Sequence, residues 1–151
     1  MKNTEEIELN DFQLSKHFML SEFTRSATAI KYRIDNTPDA DSVAALQDLC
    51  INVLEPLRKR FGVIRITSGY RCLKLNKMVG GSRTSQHLFG EAADIHVGNI
   101  ETARKYFYFI KENLVFDQML LEMKDGHVHC LHVSYTAERI NRRYIRSHYD
   151  V

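Results

Sequence analysis

The chain has 151 residues, 44% hydrophobic and 26% charged, with 21 Lys+Arg against 19 Asp+Glu and a formal net charge of +2. That length and mix suit one domain able to bury a full core unaided, and they exclude collagen, disordered and disulfide-scaffold classes. The near balance of charge carries no signature of a nucleic-acid binder or a membrane-surface protein.

Residues 1–18 have no unbroken apolar stretch behind a basic segment, and no later run approaches the ~18 apolar residues of a membrane span. The expectation is a monomer synthesised in the cytoplasm without a signal peptide. Ser21 reads as the N-cap of a short helix running to about Tyr32, with Glu22 at the positive end of its dipole. Residues 35–41 gather turn formers around Pro38, which predicts a loop into a helix capped at Asp41 or Ser42. Val43, Leu46, Leu49, Cys50, Val53, Leu54, Leu57 and Phe61 then recur at three- and four-residue steps, the pattern of an amphipathic helix with one buried stripe. Pro56 predicts a kink in it and Gly62 its C-terminal cap.

Residues 63–68 alternate and are β-branched, which predicts a strand ending at Gly69. Five of the seven glycines fall between residues 69 and 100, marking a functional or tightly bent segment. Residues 101–114 read as a helix whose buried face is obscured by the aromatic run Tyr106 to Phe109. Residues 116–123 and 130–135 read as strands joined by a turn at Lys124, Asp125 and Gly126. Helices first and a hairpin later give an α+β fold, a small antiparallel sheet packed on helices. The single domain has its core at about 18–135, with an Arg-rich basic extension over 136–151 that is solvated or loosely docked.

Cys50, Cys72 and Cys130 are an odd count with no CxxC pair, against both a disulfide framework and a cysteine zinc ribbon. Five of the seven histidines fall at 87, 96, 127, 129 and 132. A hydrolytic zinc site wants three N or O ligands and an open position, and a His–Asp–His set supplies them. Gly90, Ala92 and Ala93 would let the chain fold back between His87 and Asp94, while His132 arrives from a neighbouring strand. Spacing alone leaves open whether these residues are ligands or core and surface groups, and His96, two residues past Asp94, is the alternative to it. Residues 79–83 lack the Gly-Lys-Ser/Thr ending of a phosphate-binding loop, and no cysteine sits in a nucleophilic Cys/His context.

Five ordered motifs resemble the zinc D-alanyl-D-alanine peptidases of bacterial cell walls, whose fold is shared with the Hedgehog signalling domain. They are Ser68-Gly69-Tyr70-Arg71; Leu75-Asn76 with Val79-Gly80-Gly81; Ser85-x-His87-x-x-Gly90-x-Ala92-x-Asp94; Phe116-Asp117-Gln118 with Glu122; and His132-Val133-Ser134. The resemblance covers about residues 18–135. It implies that His87, Asp94 and His132 bind zinc and that Arg71 meets the substrate or transition state, by a terminal carboxylate or an oxyanion.

Glu122 matches the acidic residue of the family's strand motif and ranks first as general base, since a carboxylate near zinc can accept a proton from water and pass it on. Some members place the base three residues before the last ligand, where this chain has His129, and His127 is a third contender. Ser85 either hydrogen-bonds substrate or orients a ligand, and Gln118 and Tyr70 line the cleft or pack. The resemblance thus implies zinc-dependent hydrolysis of peptide bonds in peptidoglycan stem peptides, as a carboxypeptidase or an endopeptidase. The expected site of action is the cell wall, after export or release, as for a lysin or a mobile-element enzyme. The rival readings are a non-catalytic binding module and an assembly protein that keep the zinc fold.

Overall fold

The computed structural model describes residues 11–146. Leu14, Phe18 and Leu20 are buried at its start, and Glu55 holds this segment by accepting from the Ser15 hydroxyl at 2.9 Å and the His17 amide at 2.7 Å. Packing therefore begins before residue 18. Two short helices follow, α1 (Ser21–Thr24) and α2 (Ala27–Lys31), in place of one helix reaching Tyr32. Ser21 does not cap α1. Arg25 is extended, at ψ 138, which breaks the run, and Ser26 caps α2 by accepting from the Ala29 amide.

Helix α3 (Ala40–Leu49) begins two to three residues earlier than expected, because the cap is Asp39, which accepts from the Ser42 amide at 2.8 Å, rather than Asp41 or Ser42. The helix runs through a π turn at Cys50–Leu54 into α4 (Glu55–Phe61). Pro56 explains the π turn: its ring would crowd the carbonyl four residues back, and one extra residue in the turn relieves the clash. Gly62, at φ 86, ends α4 and donates to the Arg58 carbonyl at 2.8 Å. The stripe is as read: Leu46, Leu49, Cys50, Val53, Leu54 and Leu57 are all fully buried. Each large side chain so placed contributes about 1.5–3 kcal/mol of burial.

The sheet has strands β1 (Ile66–Ser68), β2 (Ala92–His96), β3 (Gln118–Lys124), β4 (His127–Ser134) and β5 (Tyr144–Arg146), in the order β1-β2-β4-β3-β5. The first four are antiparallel, but β5 pairs with β3 in parallel, so the sheet is mixed rather than antiparallel throughout. The α+β class holds. Between β1 and β2 the glycine-rich segment forms α5 (Leu73–Met78) and a 3₁₀ turn at Gln86–Phe89. Helix α6 (Ile100–Asn113) buries Ala103, Tyr106, Phe107 and Ile110, which settles its inner face. Asp125 and Gly126, both at positive φ, close the β3–β4 hairpin in two residues. All three cysteines are free, and no helix among the described residues is long and apolar enough to cross a membrane.

Side chains alternate across the sheet. Ala93, Ile95, Met119, Leu121, Leu131 and Val133 face the hydrophobic core, so Asp94, Glu122 and His132 face the other way, over a cleft.

Residues 136–146 are not a loose extension. Asp117 is 0% exposed. It accepts from Arg139 at 2.7 and 2.9 Å, and from the Arg142 amide and guanidinium at 2.8–3.1 Å. Residues 136–146 are thereby pinned to the sheet and continue into β5; residues 147–151 of the basic tail lie outside the described residues. Burial alone would raise the Asp117 carboxyl, but the two guanidinium groups outweigh it and hold it far below the usual carboxylate range. A carboxyl lowered in the folded state stabilises fully above its unfolded pKa of about 3.9 and loses that contribution as the pH falls below it. Asp117→Asn should therefore cost on the order of 2–3 kcal/mol at neutral pH, and the gap in melting temperature from wild type should narrow as circular-dichroism melts are taken from neutral into acid.

Candidate metal centre

His87 is delivered by the 3₁₀ turn after a sharp bend. The Ser85 hydroxyl accepts from the His87 amide at 3.2 Å, and Gly90 closes the turn in the left-handed region at φ 73. A Cβ at position 90 would run into the Ser42 carbonyl, so glycine lets the turn pack on α3. The His87 ring is 2% exposed, with Nδ1 2.6 Å from the Gly69 carbonyl. A carbonyl only accepts, so Nδ1 carries the proton and Nε2 presents a lone pair. Ser85 thus positions His87 and also lines the cleft.

Strand register supplies the other two members. Asp94 on β2 lies directly opposite His132 on β4, and Asp94 Oδ1 is 2.9 Å from His132 Nδ1 and 3.3 Å from His87 Nε2. The His87 and His132 rings are 5.1 Å apart, and the donor atoms of the three residues all lie within 4.8 Å of one another. Burial would raise the Asp94 carboxyl, but its hydrogen bond with His132 and the nearby His87 imidazole hold it well below the usual range.

His87 Nε2 tests whether a metal fits. Despite its nearness to Asp94, it is buried without a well-formed hydrogen bond. A lone pair turned toward a buried carboxylate oxygen is repulsive until a cation lies between them. The carbonyl behind Nδ1 is the backing that orients a ligating imidazole. Two imidazoles and a carboxylate suit zinc.

Arg71 leaves the turn after β1, its amide donating to the His87 carbonyl at 3.0 Å. Its Nη1 donates to Asn76 Oδ1 at 3.2 Å, and the Asn76 amide donates to the Ser82 carbonyl at 2.9 Å. A Cβ at Gly81 would strike Asn76 and Arg71, so that glycine leaves room for the bracket. Arg71 Nε is buried and unpartnered. Every buried side-chain N or O without a hydrogen-bond partner among the described residues belongs to Arg71, Gln86 or His87. Such atoms are rare in native proteins, and their gathering in one place marks a site that awaits a partner.

Glu122 lies opposite Cys130, whose thiol donates to Oε2 at 3.1 Å. Burial, with Asp94 and Glu122 nearby, pushes the Cys130 thiol far up, so it is a protonated donor rather than a nucleophile. The Glu122 carboxylate lies within 4.8 Å of an Asp94 oxygen. The register slips after Glu122, since Met123 pairs with Val128, and this leaves His129 as an extra residue in a bulge.

The cleft has a volume of about 1090 Å³, and its walls include His87, Asp94, His132, Arg71, Glu122 and His129. Gln118 and Tyr70 line it as well. His127 and His96 do not; both are exposed, at the start of β4 and the end of β2.

Several residues of the site escaped the sequence reading. Asn36, taken as a turn former, accepts from the Cys72 amide and donates to the Thr24 and Tyr70 carbonyls, fixing the turn that carries Arg71. Asn76 was visible only within a motif, and its hold on Arg71 was not. Arg139 and Arg142 also line the cleft; the one signal for them was the Arg content of the tail.

A His–Asp–His cluster beside an Arg and a carboxylate, in one cleft, is a donor set that could hold the metal ion of a hydrolase. The sequence profile of the family described as peptidase M15 matches residues 16–131. The chain belongs to this family of zinc-dependent metallopeptidases. No curated protein matches the chain.

His87→Ala and Asp94→Asn should each weaken zinc binding by roughly 100-fold or more, and Ser85→Ala by about tenfold. Competition with a chromogenic chelator measures all three; unchanged affinity in either ligand variant would move the centre elsewhere.

Proposed function

We propose that the chain hydrolyses peptide bonds in peptidoglycan stem peptides, as a D-Ala-D-Ala carboxypeptidase or an endopeptidase of the cell wall, with His87, Asp94 and His132 as the zinc ligands. The observation that carries the reading is the buried Nε2 of His87 facing Asp94 without a hydrogen-bond partner, at the foot of a cleft that also holds Arg71 and Glu122. Membership of peptidase M15 supports the reaction class, and the peptidoglycan substrate follows from the motif resemblance.

Zinc in such a set supplies Lewis acidity toward a carbonyl and makes water more acidic. Glu122 then accepts the proton of the attacking water and passes it to the leaving amine. The Cys130 thiol occupies Oε2 and leaves Oε1 without a protein partner among the described residues, so the carboxylate is oriented with one oxygen available. Arg71, braced by Asn76, presents a guanidinium with its Nε free. It holds the terminal carboxylate of a peptide or offsets charge on the tetrahedral intermediate. Ser85 acts through His87, and Gln118 contacts the peptide in the cleft. His129, in the bulge, borders the same space and is the alternative base.

Incubating the zinc-loaded protein with defined muropeptides, and reading products by mass spectrometry, tests the proposal. Loss of one terminal alanine identifies a carboxypeptidase and an internal cut an endopeptidase, and a chelator should abolish either. No cleavage by zinc-loaded protein would overturn the reading in favour of a binding module. Glu122→Gln should lower kcat by about 10²–10⁴-fold with zinc retained, and His129→Ala should cost less; the reverse order would make His129 the base.

A further inference from the structure

Arg142 lines the cleft although it is no part of the metal centre, and the family match ends at residue 131, before it. It is about half exposed, yet it is held: its amide, Nε and Nη2 all donate to the buried carboxylate of Asp117. Nη1 has no protein partner among the described residues. Arg139 donates to the same two carboxylate oxygens with both of its terminal nitrogens. One buried negative charge thus anchors two guanidinium groups at the cleft wall.

A surface arginine used only for solubility needs no such anchor. Fixing the guanidinium in advance removes the rotamer entropy that binding would otherwise cost, which is how an anion site gains affinity. Glu91 lies within Coulombic reach of Arg139, so Arg142 is the better placed of the two to meet an incoming anion.

The fold also sets the spacing. His132 is on β4, β3 is its neighbour, and Arg142 leads into β5 beyond it. Leu120 pairs with His132 and Gln118 with Tyr144, so Arg142 is level with Phe116, four residues further along the sheet; two strand spacings of ~4.8 Å across and about 13 Å along put that segment on the order of 16 Å from His132. An extended peptide covers this in about five residues at ~3.3 Å each.

We propose that Arg142, clamped by Asp117 beside Arg139, is a specificity determinant that binds a carboxylate of the substrate three to six residues from the scissile bond. The preferred substrate is then an anionic peptide bearing a second carboxylate apart from the group Arg71 holds. The proposal rests on the peptidase reading above.

The test uses the full zinc-loaded chain and matched peptides that carry either a free carboxylate or its carboxamide three, four, five or six residues to either side of one cleaved bond. Wild type should favour the carboxylate at one of these positions by roughly tenfold in kcat/KM. R142Q should bring that ratio close to one, and R142K, which keeps the charge but not the fork, to about threefold. Melting temperature and zinc content accompany each variant, and R142K carries the test if R142Q does not fold. Equal use of the two peptides by wild type at every position, or a preference that survives in R142Q, overturns the proposal. If no peptide is cleaved, the peptidase reading fails by itself, and calorimetric binding of the same pairs to wild type and R142Q decides the subsite on the same ratio.

Discussion

The in-register pairing of β2 with β4 is the constraint on which the rest of the structure depends. It sets Asp94 opposite His132 on the face of the sheet that borders the cleft, and Ala93 and Ile95 beside Val133 and Leu131 on the face that meets the core. Because side chains alternate, a slip of one residue would carry a carboxylate into the apolar interior and expose the core residues in its place. The hydrophobic face therefore enforces the geometry of the polar one. The register that positions the site comes from burial on the opposite side.

Around that pairing, small polar links fix what the strands cannot. His87 comes from a 3₁₀ turn, not a strand, and is aimed by Ser85 at its amide and the Gly69 carbonyl at its ring. Asn36 ties down the bend before Arg71, and Asn76 takes hold of the guanidinium itself. Each link satisfies backbone or side-chain groups that would otherwise be buried unpaired. What stays unpaired is gathered on His87, Gln86 and Arg71. A network that satisfies its surroundings while leaving its own ligand-facing atoms free is organised in advance for a charged partner.

Asp117 does for the end of the chain what the core does for the sheet. A wholly buried carboxylate cannot stay ionised without partners, and two arginines more than twenty residues away in sequence supply them. The same contacts bring Arg139 and Arg142 to the cleft and lead the chain into a fifth, parallel strand. Composition alone described the segment as merely basic.

Much of the fold was legible because it follows from local rules. The stripe from Leu46 to Leu57, the cap at Gly62, the hairpin at Asp125 and Gly126, and the α+β class all follow from periodicity and turn chemistry. Residues whose roles need only a strand and its alternation, such as Asp94 and His132, could be proposed from motif order. The helix starts at Ser26 and Asp39 were displaced because several neighbouring side chains can cap equally well, and backbone geometry chooses among them. The bulge at His129, the Asn76 bracket on Arg71, the π turn before Pro56 and the docking of the Arg-rich tail lay beyond the sequence. Each depends on contacts between segments distant in the chain or on a register slip that no periodicity records. By itself the sequence determined which residues are apolar, which can ligate and where the chain must turn; tertiary packing decided which polar groups share a cleft, because only the folded chain sets what each buried group must be paired with.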